Sequence, residues 1–156
     1  MATVSYEKIY SQFLSKITDY NLIASDDQDV YEILRDLLYS ATAKPYILKL
    51  FDEFMLDDEV IQLTYSLKHV INEADEDMRF VIEVIAMGMV IEWLEPQVNS
   101  VLNTLQMFSG KEEKFYSQSN HLSELKDLLK QSEIKQRKLI RDRGYISNTY
   151  LSEGGL

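Results

Sequence analysis

The chain has no cysteine, two histidines and five glycines. Without cysteine, no disulfide framework or thiolate metal site can form. His69 and His121 lack the spacing of a zinc-binding pair, so both are interpreted as surface or packing residues. The glycines form no phosphate-binding loop, and no Gly-x-Ser-x-Gly nucleophile elbow is present. We therefore predict a protein without catalytic activity, cofactor or bound metal.

Long apolar runs are also missing. The longest uncharged stretch near the centre of the chain, Val84–Ile91, has eight residues, whereas a membrane-spanning helix needs about 20. Near the N-terminus, Glu7, Lys16 and Asp19 interrupt every apolar run, so no secretion signal is expected. The sequence predicts a soluble protein that does not enter a membrane.

Acidic residues outnumber basic ones by 26 to 16, and the excess is uneven along the chain. Residues 1–110 carry 7 basic and 19 acidic side chains, a net charge of −12, while residues 111–156 carry 9 and 7, a net charge of +2. An acidic body repels nucleic-acid phosphates, which argues against broad nucleic-acid capture. With 156 residues, of which 46% are hydrophobic, the chain is expected to form one domain with a substantial core.

The fold is predicted to be mainly α, a helical bundle organised around residues 75–108. From Phe80 to Leu94 only Glu83 and Glu92 are charged. A helix with almost no polar face must be surrounded by other elements, so this segment is predicted to be a buried central helix.

Two special residues interrupt the central segment. Gly88 is unfavourable inside a helix and is expected to let a neighbouring backbone come close. Pro96 predicts that the helix is kinked or broken there. Beyond it, apolar residues at helical spacing indicate a second amphipathic helix that ends at Ser109-Gly110-Lys111; they are Val98, Val101, Leu102 and Leu105.

The first 70 residues combine two helices with a small β-hairpin. Residues 4–20 and 30–41 each carry an apolar stripe at helical spacing, the second preceded by a capping box at Ser25–Gln28 and ended by Lys44-Pro45. Within residues 46–70, the two-residue alternation from Ile61 to Leu67 predicts a strand. Its partner is placed in Tyr46–Met55, although that segment also fits a short helix. A lone hairpin is marginal in water, so it must lean on the helices or pair with another subunit.

The C-terminal part is predicted to be a helix capped by Ser119, followed by an extended tail. Leucines form a stripe in the first half of this helix, but beyond Lys130 basic residues dominate, so the far half is expected to bury little against its own chain. Residues 144–156 mix glycine, serine and asparagine with tyrosine and are expected to be an extended docking tail. The domain is therefore placed at 1–143 and the tail at 144–156.

Three acidic clusters, Asp26–Asp29, Asp57–Glu59 and Asp75–Asp77, have the residue types that bind divalent cations. They lack the spacing of a calcium loop, and two lie at predicted helix starts, where acids interact favourably with the helix dipole. Glu112 and Lys114 form a Glu-x-Lys of the kind found in some metal-dependent nucleases, but those enzymes place it on a strand. Helix capping is therefore the preferred interpretation of the acids.

Residues 135–143 contain five basic side chains and one acidic one. A solvated helix end or a protein-docking arm is favoured for this stretch. The alternative is that the chain is a nucleic-acid-binding accessory protein that uses this basic helix.

Several strings resemble a small structural protein of tailed bacteriophages, the head–tail connector or neck adaptor. They are MVIEWLEPQVN at Met89–Asn99, FYSQSNHL at Phe115–Leu122, YEKIYSQFL at Tyr6–Leu14 and ITDY at Ile17–Tyr20. The resemblance implies an α-helical subunit of a homo-oligomeric ring beneath the portal vertex, through which double-stranded DNA passes without specific binding. It also implies binding to the portal protein and to adjacent neck or tail proteins, in a virion assembled after synthesis in the host bacterial cytoplasm.

Such adaptors dock through a C-terminal helix or tail, and aromatic residues are favoured as interface anchors. The candidate protein-interaction residues are Phe115, Tyr116, Arg137, Arg141, Tyr145, Ile146, Tyr150 and Leu151.

Overall fold

The computed structural model describes residues 1–17, 27–107 and 112–146, with side chains at 1–17, 28–101 and 119–144. The elements in chain order are β1 (Ala2–Ser5), α1 (Tyr6–Lys16), α2 (Asp27–Thr42), α3 (Pro45–Leu48), β2 (Phe51–Asp57), β3 (Gln62–Leu67), α4 (Glu76–Met107) and α5 (Glu112–Ile146). The described part is mostly helical, as predicted, and contains one three-stranded antiparallel sheet.

Helix α4 is the centre of the fold. It packs against α1, α2 and α5, and its first two-thirds is buried on nearly every side, as the sequence predicted. The buried apolar side chains of α4 are Phe80, Val81, Val84, Ile85, Ala86, Met87, Met89, Val90, Ile91, Leu94 and Val98.

Gly88 lies where α2 crosses α4. A Cβ atom at this position would lie 3.1 Å from Ala41 Cβ and 3.1 Å from Gln136 Nε2. The predicted close approach of a neighbouring helix at Gly88 is therefore confirmed, and the missing side chain leaves room for both α2 and α5.

Of the predicted kink or break at Pro96, the break is wrong, because α4 continues through this proline to Met107; the kink stays a prediction. Pro96 is exposed, while Leu94 and Val98 on either side of it are buried in the same core. A proline inside a helix costs about 3 kcal/mol, and burying each large apolar side chain returns about 1.5–3 kcal/mol. Burial on both sides of Pro96 therefore favours one continuous helix. The predicted helix end at 109–111 lies outside the described residues.

The sheet differs from the prediction in having a third strand. Residues 4 and 5 were assigned to the first helix, but Ala2–Ser5 form β1, which pairs antiparallel with β3 from Ala2 opposite Tyr65 to Ser5 opposite Gln62. The strand order β1-β3-β2 puts β3 in the centre. The hairpin therefore leans on its own chain, because the N-terminus supplies the extra pairing.

The hairpin itself is confirmed with shifted bounds. Pro45–Leu48 is the short helix α3, and the strand before the turn runs from Phe51 to Asp57, with a register irregularity between Phe51 and Glu53. Proline at the first position favours helix α3, and Ile47 is buried beneath it. Helix α1 ends at Lys16, and the predicted capping box at 25–28 lies mostly outside the described residues.

Helix α5 corrects three predictions about the C-terminal region. It begins at Glu112, so Phe115, Tyr116 and Ser119 are helical and Ser119 is not its cap. Acidic residues at 112 and 113 suit a helix start there, because negative charge in the first turn is favourable to the helix dipole.

The far half of α5 was predicted to bury little, and this is wrong. Gln136 is buried, and Leu139 and Ile140 pack against the core. The helix also runs through Gly144 and Tyr145 to Ile146, so the tail does not begin at 144. Because α4 is apolar all round, it offers α5 an apolar surface along most of its length. Residues 147–156 of the predicted tail lie outside the described residues.

Candidate protein-interaction groove

Arg137 and Arg141 lie one helical turn apart on α5, and both are exposed. They line a groove with a volume of about 600 Å³ between α5, α4 and the segment around α3. Its lining residues are Lys44, Tyr46, Lys49, Ile91, Glu92, Glu95, Glu133, Gln136, Arg137, Ile140 and Arg141. The groove contains two of the predicted site residues, Arg137 and Arg141.

One wall of the groove is the turn between α2 and β2. Lys44 has an extended backbone at the N-terminus of α3, and the buried side chain of Ile47 holds α3 against the core. Tyr46 and Leu48 remain 41% and 42% exposed. The proline-started turn thus presents Lys44, Tyr46 and Lys49 to the groove.

The opposite wall is fixed by a buried amide. Gln136 is only 2% exposed, and its Nε2 donates a hydrogen bond of 3.0 Å to the backbone oxygen of Val84 in α4. A polar side chain this deep requires a partner, because an unpaired buried donor costs about 1–3 kcal/mol. The bond therefore sets the rotation of α5 about its axis and directs Arg137 and Arg141 outward.

A buried ion pair anchors the end of α5. Arg143 Nη2 lies 2.5 Å from Asp77 Oδ1, and their side chains are 11% and 1% exposed. Arg143 also donates to the His69 backbone oxygen at 2.8 Å and lies 4.5 Å above the ring centre of Phe80. Asp77 in turn accepts the Ile71 backbone N–H at 3.0 Å. Arg143 therefore packs into the fold and stabilises it. The exposed positive charge of α5 at the groove comes from Arg137 and Arg141.

The groove contains four basic and three acidic side chains. Lys44 Nζ lies 3.0 Å from Glu92 Oε1, and the hydrogen bond and charge of Glu92 raise the pKa of Lys44. Burial raises the pKa of Tyr46, and the neighbouring charge of Lys44 opposes this shift. Within the described part of the chain, Lys49 and Arg137 have no ion-pair partner.

A second polar cluster joins the hairpin turn to α1 and α2. Asp58 Oδ1 accepts hydrogen bonds from the hydroxyls of Tyr6 and Tyr39, each at 2.9 Å. Burial and the carboxylate of Asp58 raise the pKa of Tyr6, and burial followed by the charge of Asp58 raises the pKa of Tyr10 to about 12. All these shifts keep the hydroxyls protonated, so the cluster acts as a set of donors that holds the turn in place.

The structure brings together only part of the predicted site. Phe115, Tyr116, Tyr145 and Ile146 lie on α5, but their side chains fall outside the described ones, and Tyr150 and Leu151 lie outside the described residues. Lys44, Tyr46 and Lys49 were not among the predicted site residues, and they lie 88 to 93 residues from Arg137 in the chain. No local pattern links such distant segments, so no signal in the sequence could have found them.

Among the described residues, no side chains form a group of three potential metal ligands, and Glu112 lies on a helix, not on the strand that a Glu-x-Lys nuclease site uses. None of the helices in the described ranges is long and apolar enough to cross a membrane.

Comparisons with protein-family models, curated proteins and solved structures found no match for the chain.

Proposed function

We propose that the chain is a non-catalytic structural subunit of a tailed-bacteriophage neck. In this role, copies of the chain form an adaptor ring between the portal and the tail, and the genome passes through the ring. The proposal starts from the resemblance of residues 89–99 and 115–122 to head–tail connectors. We also propose that the chain is located in the virion. Its proposed partners are the portal protein and adjacent neck or tail proteins.

The observation that carries the proposal is the anchoring of α5. The Gln136–Val84 bond and the Asp77–Arg143 ion pair fix the rotation and the end of this 35-residue helix. A docking subunit needs its contact residues presented in a fixed orientation, because disorder that is lost on binding reduces affinity. The two anchors supply this for Arg137 and Arg141.

The charge distribution suits a DNA conduit. The formal net charge of the chain is −10, and a channel lined by acidic subunits repels phosphates, so DNA slides without sticking.

The structure weakens the case for the alternative, a nucleic-acid-binding protein that reads with its basic helix. Arg143 is buried against Asp77, and Arg137 and Arg141 share their groove with Glu92, Glu95 and Glu133. These carboxylates repel a polyanion, whereas they are tolerated by a protein partner of mixed charge.

The test of the proposed function is portal binding. The purified chain is mixed with the portal protein encoded in the same genome, and co-migration is measured by size-exclusion chromatography. We expect a complex with the full chain and loss of the complex when residues 147–156 are removed. The fold should survive this truncation, because α5 is held to the core by Gln136 and Arg143, which precede the removed residues. Circular dichroism checks the fold of the truncated chain.

Absence of co-migration by the folded full chain would refute the adaptor assignment. Binding to double-stranded DNA that weakens steeply with salt would favour the nucleic-acid alternative instead. An unrelated portal protein serves as the specificity control.

A further inference from the structure

The β2–β3 hairpin presents a strongly acidic surface. Between Phe51 and Leu67 there is no basic residue, and the acids are Asp52, Glu53, Asp57, Asp58 and Glu59. Apolar side chains are exposed among them: Met55, Val60 and Ile61 are 57%, 59% and 51% exposed. We call this surface, residues 52–61, the acidic hairpin face. It combines charge of one sign with exposed apolar groups.

The turn of the hairpin is held in one strained conformation. Ile61 has a φ of 56°, which is unfavourable for a β-branched residue. Its backbone oxygen accepts the Tyr6 N–H at 3.1 Å, and Asp57 Oδ1 accepts the backbone N–H of Glu59 at 2.9 Å. With Asp58 bound to two tyrosine hydroxyls, the turn is preorganised. A preorganised turn loses little conformational entropy when it binds a partner.

The groove on α5 has the complementary character. Its basic residues Lys49, Arg137 and Arg141 outnumber the two glutamates that are not paired with Lys44, Glu95 and Glu133. The apolar residues of the lining are Tyr46, Ile91 and Ile140, of which Tyr46 is 41% exposed. Its volume of about 600 Å³ lies within the range that buries a small ligand. The groove therefore has room for a few side chains, such as those at the tip of a hairpin.

The two surfaces lie at different ends of β2. Lys49 precedes the strand and Asp57 ends it, and the six steps from Phe51 to Asp57 separate its ends by about 20 Å. A preorganised turn does not fold back across this distance, so the two surfaces meet only between two molecules. Contacts between two different surfaces of identical chains are head-to-tail and generate a ring or a filament.

We infer that the groove of one copy receives the acidic hairpin face of a second copy. Glu53 and Glu59 pair with Lys49, Arg137 and Arg141 of the neighbour, while Val60 and Ile61 cover its exposed apolar groups. This inference rests on the proposed function, since it names the contact by which the adaptor ring is built. A second copy is favoured over nucleic acid because the hairpin has exposed apolar side chains, Val60 and Ile61, beside its acids, whereas a phosphate backbone has charge alone.

The experiment reverses the charge of each surface separately. One variant carries Glu53→Lys and Glu59→Lys, and the other carries Arg137→Glu and Arg141→Glu; all four side chains are exposed. Molar mass is measured by sedimentation velocity over a range of concentrations, at about 30 mM and about 0.5 M salt. We expect the natural chain to associate at low salt and to dissociate at high salt, and each variant alone to associate at least about tenfold more weakly.

An equimolar mixture of the two variants is the decisive sample. Each reversed surface then meets an oppositely charged partner, so association returns in the mixture, as it does in one chain that carries all four substitutions. The matched controls, Lys126→Glu with Lys130→Glu and Glu124→Lys with Asp127→Lys, change exposed residues of α5 outside both surfaces. They should associate like the natural chain.

The inference is overturned if the natural chain stays monomeric, if either variant associates like it, or if the mixture does not associate. Portal co-migration of the same samples separates this from the proposed function. If the chain binds the portal but does not self-associate, the groove–hairpin contact is refuted and the adaptor assignment stands. If association returns in the mixture but the chain does not bind the portal, the adaptor assignment is refuted and the groove–hairpin contact stands.

Discussion

The ion pair between Asp77 and Arg143 makes the sharpest prediction about stability. Replacing Arg143 with Met keeps the apolar stem beside Phe80 but leaves the Asp77 carboxylate, 1% exposed, with the Ile71 N–H as its partner. Removing one partner of a buried pair costs about 3–5 kcal/mol, because a buried charge is left uncompensated. For a domain of this length each kcal/mol lowers Tm by about 2–4 °C, so we expect a decrease of about 6–20 °C. The smaller decrease in Tm is expected if the last turn of α5 unfolds locally in the variant, because water can then solvate the Asp77 carboxylate.

Urea unfolding measures the free energy and thermal unfolding measures Tm, both monitored by circular dichroism, with the surface pair Arg79–Asp75 as the matched control. That pair is also in direct contact, at 2.8 Å, but its side chains are 78% and 55% exposed. Exposed pairs contribute at most about 1 kcal/mol, so Arg79→Met should change stability little. The double variant Asp77→Asn with Arg143→Met removes both charges and keeps an acceptor for the Ile71 N–H. It should lose much less stability than the two single variants added together.

Two results would refute this account of the ion pair. One is an Arg143→Met variant that is no less stable than Arg79→Met. The other is a double variant whose loss equals the sum of the single losses, since this would show that the two charges do not interact.

Three further predictions concern the core and the tyrosine cluster. Gly88→Leu should destabilise the fold by about 1–3 kcal/mol in urea unfolding, because a Cβ already lies 3.1 Å from Ala41 Cβ and from Gln136 Nε2; an unchanged midpoint would contradict the close packing. Pro96→Ala should stabilise the fold, by up to about 3 kcal/mol, because it restores a helical N–H inside a continuous helix; a lower Tm would argue for a required bend. The pKa of Tyr10 is raised from 10.0 to about 12 in the folded chain. The contribution of Tyr10 to folding stability is therefore fully present below pH 10 and is lost as the pH rises to about 12, because the unfolded chain ionises first. Tyr10→Phe should therefore reduce the fall in Tm across this window, and an unchanged slope would show that Tyr10 does not titrate there.

Sequence patterns located the elements whose signal is local. The nearly continuous apolar run from Phe80 to Leu94 predicted a buried central helix, and α4 is surrounded by α1, α2 and α5. The alternation from Ile61 to Leu67 predicted a strand, and β3 has three buried side chains on one face. Both features follow from side-chain periodicity, which depends only on neighbouring residues.

The errors lie where distant parts of the chain decide the outcome. Residues 2–5 carry too short a pattern to predict a strand, and pairing with β3 is what makes them one. Pro96 is a strong local signal for a break, but burial of Leu94 and Val98 outweighs it. The tail was expected to begin at Gly144, yet a salt bridge to Asp77, 66 residues earlier, holds the end of α5 in place.

The sequence by itself determined the helical class, the buried central helix, the hairpin and the acidic balance of charge, because composition and periodicity are properties of the chain alone. Only the tertiary structure decided which charges remain available for a partner. It buried Arg143, left Arg137 and Arg141 exposed, and set them opposite Lys44 and Lys49 across one groove. Which of several similar arginines is exposed depends on how α5 is rotated against α4, and contacts between residues far apart in the chain fix that rotation.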